Sequence, residues 1–387
     1  MTTREGPPGP TIFLHIGTPK SGTTYLQSRF TKSYQQAAEQ GLLWPGPRWG
    51  THVEAVRDLR TLEPGQRPDP QGPWMALAKA AREWPGERVL ISMEWLAGST
   101  PYQVMTAVRT LQPNRVEVIC TARDLLRSFV AQWQEMTKNC RPWSWREFVD
   151  EMLADGPGPA HERFWNQQDL PEILEKWSTD VPRDRVHLVT LPQSRSDPEL
   201  LWKRFCSVLG IDGSSFEEPQ RDNESLGVVS AELMHRVNIA AIAKDVTHEE
   251  YQKVFHWSLA DQILAPRRGD EQPIAVSAEV DAWIRRRAER LVEDTRDLGI
   301  DVVGDLADLV PGPRLDGREP DDVSDAELLE TAIDALASLG LAQFKSLQKA
   351  RTRNQDLRRQ LTRLRDRTGA AGNPAAERRK GRRDADS

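Results

Sequence analysis

Apolar residues in this chain fall into short blocks separated by polar, glycine- and proline-containing stretches. TIFLHIG (11–17) is a compact apolar run ending at Gly17, followed by the polar string TPKSGTT and an amphipathic stretch to about Gln40. That pattern reads as strand, glycine-containing loop and helix. GLLWPG (41–46) reads as a second short strand, 61–73 as a loop, and 74–83 as a helix. RVLISMEWL (88–96) opens as a buried strand and PYQVMTAVRTLQ follows as a helix. RVEVICTA (115–122) is the clearest later strand, and RDLLRSFVAQWQEMTKN continues it as an amphipathic helix. Such alternation predicts a parallel sheet with right-handed crossovers. RVHLVTLP (185–192) adds a strand, PELLWKRFCSVLG a helix, and 228–300 reads as wholly helical.

The punctuation divides the chain into a loose arm (1–10), an α/β body (11–305), a linker (306–323), a C-terminal helix (324–367) and a disordered basic tail (368–387). The last helix opens on SDAE, a capping-box pattern. It carries a short heptad series, Leu347, Ala350, Asn354, Leu357, Leu361 and Leu364, with Asn at a core position. Two readings stand: a short coiled coil that makes a homodimer, or a single solvated helix.

Composition narrows the class. The 387 residues include 13 Trp and carry a net charge of −6, made of a +9 segment over 341–387 and a −15 body. An acidic body argues against a nucleic-acid partner over the whole surface and leaves an anionic partner for the tail open. Three cysteines without C-x-x-C spacing exclude a disulfide framework and a thiolate zinc site as the organising principle, and fit a reducing compartment. MTTREGPPGP has no apolar signal region and no run reaches a membrane span, so a soluble cytoplasmic protein is expected.

The candidate chemistry begins at Gly17-Thr18-Pro19-Lys20-Ser21-Gly22-Thr23-Thr24. Between a strand and a helix, such a loop turns successive backbone N–H groups and a helix N-terminus on an anion. Gly17 and Gly22 allow close backbone approach, Lys20 adds a point charge, and Thr23 and Thr24 add hydroxyls. The alternative is a turn whose Lys is solvated. The string is not a Walker A motif, because Lys20 precedes Gly22.

Residues 19–25, Pro19-Lys20-Ser21-Gly22-Thr23-Thr24-Tyr25, resemble the P-K-S-G-T-T loop of the sulfotransferase superfamily, with Tyr25 where Trp is usual. The whole stretch 11–305 looks like an actinobacterial branch of it. The resemblance implies a P-loop NTPase-like parallel sheet flanked by helices, and 3′-phosphoadenosine 5′-phosphosulfate (PAPS) as co-substrate with no metal. It gives Lys20, Gly22, Thr23 and Thr24 the phosphosulfate and Tyr25 the adenine. A second superfamily signature, a strand ending in Arg-Asp, matches Arg123 for the 3′-phosphate. The Ser usual eight residues on is Ala131 here, so Ser128 is the substitute candidate. Arg221 is the nearest basic residue for a loop closing over the nucleotide.

Sulfuryl transfer needs an acceptor held in line, charge stabilisation at the leaving phosphate and a base. Lys20 fits the leaving-group role. Glu94, at the carboxyl end of the RVLISM strand beside Trp95, is the first candidate base and His52 the second. His15, inside the first strand, reads as a core residue. Trp133, Trp143, Trp145 and Trp165 read as core aromatics. The acceptor is expected to be a hydroxyl or amine of a small molecule, sugar or lipid. Two other readings remain: a P-loop kinase using Mg·ATP, and a non-catalytic interaction protein with a helical tail.

Overall fold

The structure is a computed structural model that describes residues 9–371 apart from 47, 155, 157, 194–196, 220–224 and 315. Arg221 lies outside the described residues, as do most of the 1–10 arm and of the 368–387 tail.

Six parallel strands form one sheet: β1 (Thr11–His15), β2 (Leu42–Leu43), β3 (Arg88–Ser92), β4 (Val116–Ala122), β5 (Val186–Thr190) and β6 (Asp301–Val303). Their order is β2-β3-β1-β4-β5-β6. With helices on both faces this is the P-loop-like α/β architecture expected from the alternation of elements. The apolar runs do not reveal β6, because DVV is too short and too exposed to mark a buried strand.

Period-2 alternation explains why both faces are covered. Ile12 and Leu14, Val89 and Ile91, and Val118 and Cys120 point into one apolar layer. Phe13, Leu90, Ile119 and Val189 point into the other. A strand buried on both faces has no solvent side to mark with polar residues, so each reads as a continuous apolar run.

A third core lies beside the sheet and is helical. Leu125–Lys138, Trp145–Leu153, Pro159–Gln168 and Ala278–Asp297 pack around Phe129, Trp133, Trp145, Phe148 and Phe164. Trp133 and Trp145 are fully buried there, as core aromatics.

The stretch 228–300 is not one helical run. Val228–Ile242 stops at Ala243, and Thr247 restarts the chain with a capping box. A wide, π-type helix Gln252–Leu264 comes next, and Ser277 caps Ala278–Asp297. Between them Ile274 pairs with Arg318. The breaks come from cap residues and prolines that a periodicity count passes over.

The 306–323 segment contains two single-turn 3₁₀ helices, with Leu309 and Val323 buried. The last helix spans Asp325–Ala371, and the Ser324–Glu327 capping box forms at its start. Among the described residues no helix is long and apolar enough to cross a membrane.

Candidate functional site

β1 lies between β3 and β4, so the carboxyl ends of these three strands stand side by side. The chain leaves β1 into the 16–22 loop, β3 into Glu94 and β4 into Arg123. Open parallel sheets place ligands at this edge.

The loop is held open by its backbone. Thr18 N–H donates to Thr121 O at 2.7 Å, anchoring the loop to the end of β4. Lys20 has φ 69° and Gly22 φ 87°, both left-handed. At Gly22 a side chain is excluded twice, by that φ and by Leu201 Cδ2, 2.5 Å from where a Cβ would stand. Lys20 tolerates a conformation costing about 1–2 kcal/mol because its neighbours fix it. The Arg123 guanidinium donates to Lys20 O at 3.0 Å and the Gln168 amide to Pro19 O at 3.0 Å.

Gly22 then caps the helix Thr23–Lys32, here α1, without a side-chain cap. Among the described residues the N–H groups of Gly22, Thr23 and Thr24 have no backbone acceptor. Donors converging at a helix N-terminus fit an anion such as a phosphosulfate.

Ser21 turns inward instead. Its hydroxyl donates to Thr18 O at 2.6 Å and pairs with Thr121 Oγ1 at 2.7 Å. From there a buried polar chain crosses the sheet edge. Thr121 Oγ1 meets His15 Nε2 at 3.1 Å, and His15 Nδ1 meets Ser92 Oγ at 2.7 Å. The Gln27 amide, on α1, donates to Ser92 Oγ at 3.2 Å and to Glu94 Oε2 at 3.3 Å. His15 is thus the core residue its strand position predicts, and burial holds its pKa at about 3. The chain ties the loop to Glu94 through neutral hydrogen bonds, which fixes the carboxylate without charging the core.

Two carboxylates flank Lys20 in contrasting states. Burial raises the Glu94 pKa, opposed by hydrogen bonds from its own backbone and Gln27 and by the Lys20 charge. Glu135, on Leu125–Lys138, pairs with Lys20 Nζ at 2.6 Å. Burial pushes the Glu135 carboxyl up, but Lys20, Lys138 and Asn139 together bring it down to about 2. Adjacent carboxyls driven apart in this way divide into a proton-accepting group and a permanent anion.

Both line a cleft of about 950 Å³. Pro19, Lys20, Gly22, Thr23 and Thr24 form its floor, and Gln27, Ser28 and Thr31 continue it along one polar face of α1. Asp261, from the wide helix, faces it and pairs with Lys138 at 2.5 Å. Trp49 and Trp95 supply indoles to the walls.

The remaining sequence candidates lie elsewhere. His52 is fully buried on Trp49–Arg60, stacked 4.2 Å from Trp44, and does not line the cleft. Its Nδ1 accepts from Ser92 N–H at 3.2 Å, and burial holds its pKa at about 4. Tyr25 sits on another face of α1. Its hydroxyl donates to Glu199 at 2.9 Å and accepts from Arg29 at 2.8 Å, which fixes the ring. Ser128 is 1% exposed, and its hydroxyl has no partner among the described residues. A ligand reaches it only if the helix start shifts. Arg123 is half-buried beside the loop, while Asp124 caps Leu125–Lys138 and pairs with Arg127 rather than with Arg123.

Sequence reasoning missed Gln27, Glu135 and the wide helix. One signal was present: Gln132, Glu135, Met136 and Asn139 recur at helical spacing, and all four line the cleft. Among the described residues no group of three or more His, Cys, Asp or Glu stands close enough to hold a metal ion.

No protein-family model and no curated protein sequence matches the chain. Among solved structures it is similar to a sulfotransferase from Alicyclobacillus acidocaldarius, at 15% identity and a TM-score of 0.36. That match covers 65% of this chain and 97% of the other. It is also similar to a sulfotransferase domain from the curacin biosynthetic pathway, at 13% identity and a TM-score of 0.30, covering 77% and 100% respectively. At these scores neither likeness decides what the chain does, which has to be read from its own residues.

Proposed function

We propose that this chain is a PAPS-dependent sulfotransferase that acts on a hydroxyl or amine of an acceptor bound in the 950 Å³ cleft. The observation that carries the reading is the pairing of a left-handed Lys20 loop, rich in free N–H donors, with the deep-set Glu94 carboxyl across the floor of one cleft. The first suits a transferable anionic group, and the second suits a base.

In this reading the N–H groups of Gly22, Thr23 and Thr24 and the Lys20 ammonium hold the phosphosulfate. Arg123 and, after a small shift, Ser128 take the 3′-phosphate, and the fixed Tyr25 ring takes the adenine. PAPS, when bound, supplies the sulfuryl group and a stable bisphosphate leaving group. Glu94, ionised, accepts the proton of the acceptor O–H or N–H. Gln27 and the Ser92–His15 chain keep that carboxylate aimed. Glu135 stays anionic and holds Lys20 over the loop while the site is empty. His52, neutral and enclosed, takes no part. The α/β unit 11–305 is the catalytic body; the 324–367 helix begins packed on it through Leu328 and Ala335, and its exposed remainder is the association element through which two copies pair.

The test is a titration of the full-length protein with adenosine 3′,5′-bisphosphate in the presence of a metal chelator, and separately with Mg·ATP. Saturable, micromolar binding of the bisphosphate that Lys20→Ala removes is the expected result. Binding of Mg·ATP with indifference to the bisphosphate would replace this reading by a kinase. Bisphosphate binding without turnover of any phenolic, sugar or lipid acceptor would leave a non-catalytic binding protein.

A further inference from the structure

The charges that line the cleft do not balance. Glu135 is committed to Lys20 at 2.6 Å. Asp261 is committed to Lys138 at 2.5 Å, with His256 a further 3.6 Å contact. Glu94 is the carboxyl that burial pushes towards its neutral form. Arg60 and Arg163 also line the cleft, and neither guanidinium forms an ion pair or side-chain hydrogen bond with a described residue.

These two cations come from different elements, Trp49–Arg60 and Pro159–Gln168. They share one cleft wall: burial lowers the Arg163 pKa first, Arg141 and Arg60 lower it further, and Glu135 opposes them. Burial lowers the Arg60 pKa as well. Nearby Lys176 is lowered by burial and feels Arg60 too, against opposing pulls from Glu172 and Asp169. A protein that gathers arginines at a cleft wall and pairs two of the lining carboxylates with lysines leaves a place for an external oxyanion. Arginine suits that role because its planar fork binds carboxylate, sulfate or phosphate through paired N–H donors.

Taking the sulfotransferase reading as its premise, we propose that the acceptor is a hydroxylated molecule bearing an oxyanion, which Arg60 and Arg163 bind on the cleft wall while the reacting hydroxyl reaches Glu94. The rest of the lining agrees with a polar body. Gln132, Gln167 and Thr31 offer amides and a hydroxyl, and Trp49 and Trp95 offer flat apolar platforms. The cleft, about 950 Å³, is at the upper end of small-molecule sites, which leaves room for a group beyond the reacting one.

The experiment needs no nucleotide. The full-length protein is titrated with phenyl β-D-glucoside and phenyl β-D-glucuronide, which differ at one carboxylate, using tryptophan fluorescence as the signal. The 6-sulfate and 6-phosphate of the same glucoside are parallel arms that identify the preferred oxyanion. At least one charged ligand is expected to bind about tenfold tighter than the neutral one, with the preference weakened by salt. The Arg60→Gln/Arg163→Gln chain is expected to bind charged and neutral ligands alike, at an unchanged melting temperature. Lys79→Gln, which removes an exposed cation that does not line the cleft, keeps the preference. Equal binding of all four ligands by the wild type, no saturable binding of any, or a preference that survives the double substitution overturns the proposal. Adenosine 3′,5′-bisphosphate binding is read in a separate cell. If that fails while the oxyanion preference holds, the sulfotransferase reading falls and the oxyanion subsite stands.

Discussion

Residues 17–24 make their half of the site from one contiguous string, whereas the facing wall draws Arg60, Glu94, Glu135, Arg163 and Asp261 from five separate elements. In the string, the proposed function rests on backbone geometry: left-handed Lys20 and Gly22 and the N–H donors that follow them. In the wall it is set by side chains whose neighbours are remote in sequence, such as Lys20 with Glu135 and Lys138 with Asp261. A backbone device leaves its mark in a short motif. A wall of side chains leaves one only where a helix repeats its polar face.

The comparison breaks most sharply at Lys20. Lys20→Ala is expected to lower kcat/KM about 10³-fold, because the point charge facing the leaving phosphate is lost with no substitute. A fall of less than tenfold in steady-state assays would move the anion-binding role from the string to the wall. Glu94→Gln comes next, with kcat reduced about 10²- to 10³-fold. Since burial raises the Glu94 pKa, the wild-type rate is expected to climb with pH through that raised value, and this acid limb should vanish in Glu94→Gln. An unchanged limb would show that another group takes the proton.

Glu135→Gln sharpens the contrast in the opposite direction. The Glu135 charge helps to raise the Glu94 pKa, so its removal moves the acid limb of the pH profile to lower pH. It also removes the Glu135 carboxylate that competes with a bound anion for Lys20, so nucleotide affinity is expected to rise about tenfold. Weaker nucleotide binding by calorimetry would mean instead that the ion pair positions Lys20 for its ligand.

A smaller effect tests the scaffold behind the string. His15 and His52 are buried and neutral, with pKa values of about 3 and about 4 against 6.5 when exposed. The unfolded chain therefore binds more protons as pH falls below about 6.5, and folding stability drops until each folded-state value is reached. Down to those values His15 contributes about 5 kcal/mol and His52 about 3 kcal/mol to that loss. Urea melts between pH 7 and pH 4 should show it, and His52→Gln should remove part of the slope. Smallest is the effect on the site of Leu357→Glu/Leu361→Glu in the last helix. It is expected to halve the mass in solution and leave nucleotide binding unchanged, and an unaltered mass would remove the helix as the association element.

The sheet was legible because strands buried on both faces are written as apolar runs, and TIFLH, RVLIS, VEVICTA and VHLVT all stand out in that way. Glu94 was legible by position, at the end of one of those strands. His52 drew attention through its chemistry, yet the structure uses it for packing against Trp44 and for receiving the Ser92 N–H. Nothing local distinguishes a histidine that faces a cleft from one beneath its floor. Arg60 and Arg163 could not be read as a pair at all, since what sets them apart is that neither is ion-paired to a described residue while Glu135 and Asp261 are paired to lysines, and that is a property of three-dimensional neighbourhoods.

The last helix has one further consequence. Its 47 residues extend about 70 Å at 1.5 Å per residue. From Gln343 to Leu364 every described side chain is exposed. A compact body of some 300 residues, with a radius of gyration of about 19 Å, is only about 50 Å across. A single copy will therefore tumble and diffuse like an elongated particle, and its frictional ratio will exceed that of a sphere of equal mass. On a sizing column the monomer will elute early, where a compact dimer would stand. Light scattering or sedimentation equilibrium, which do not depend on shape, are the measurements that separate one copy from two.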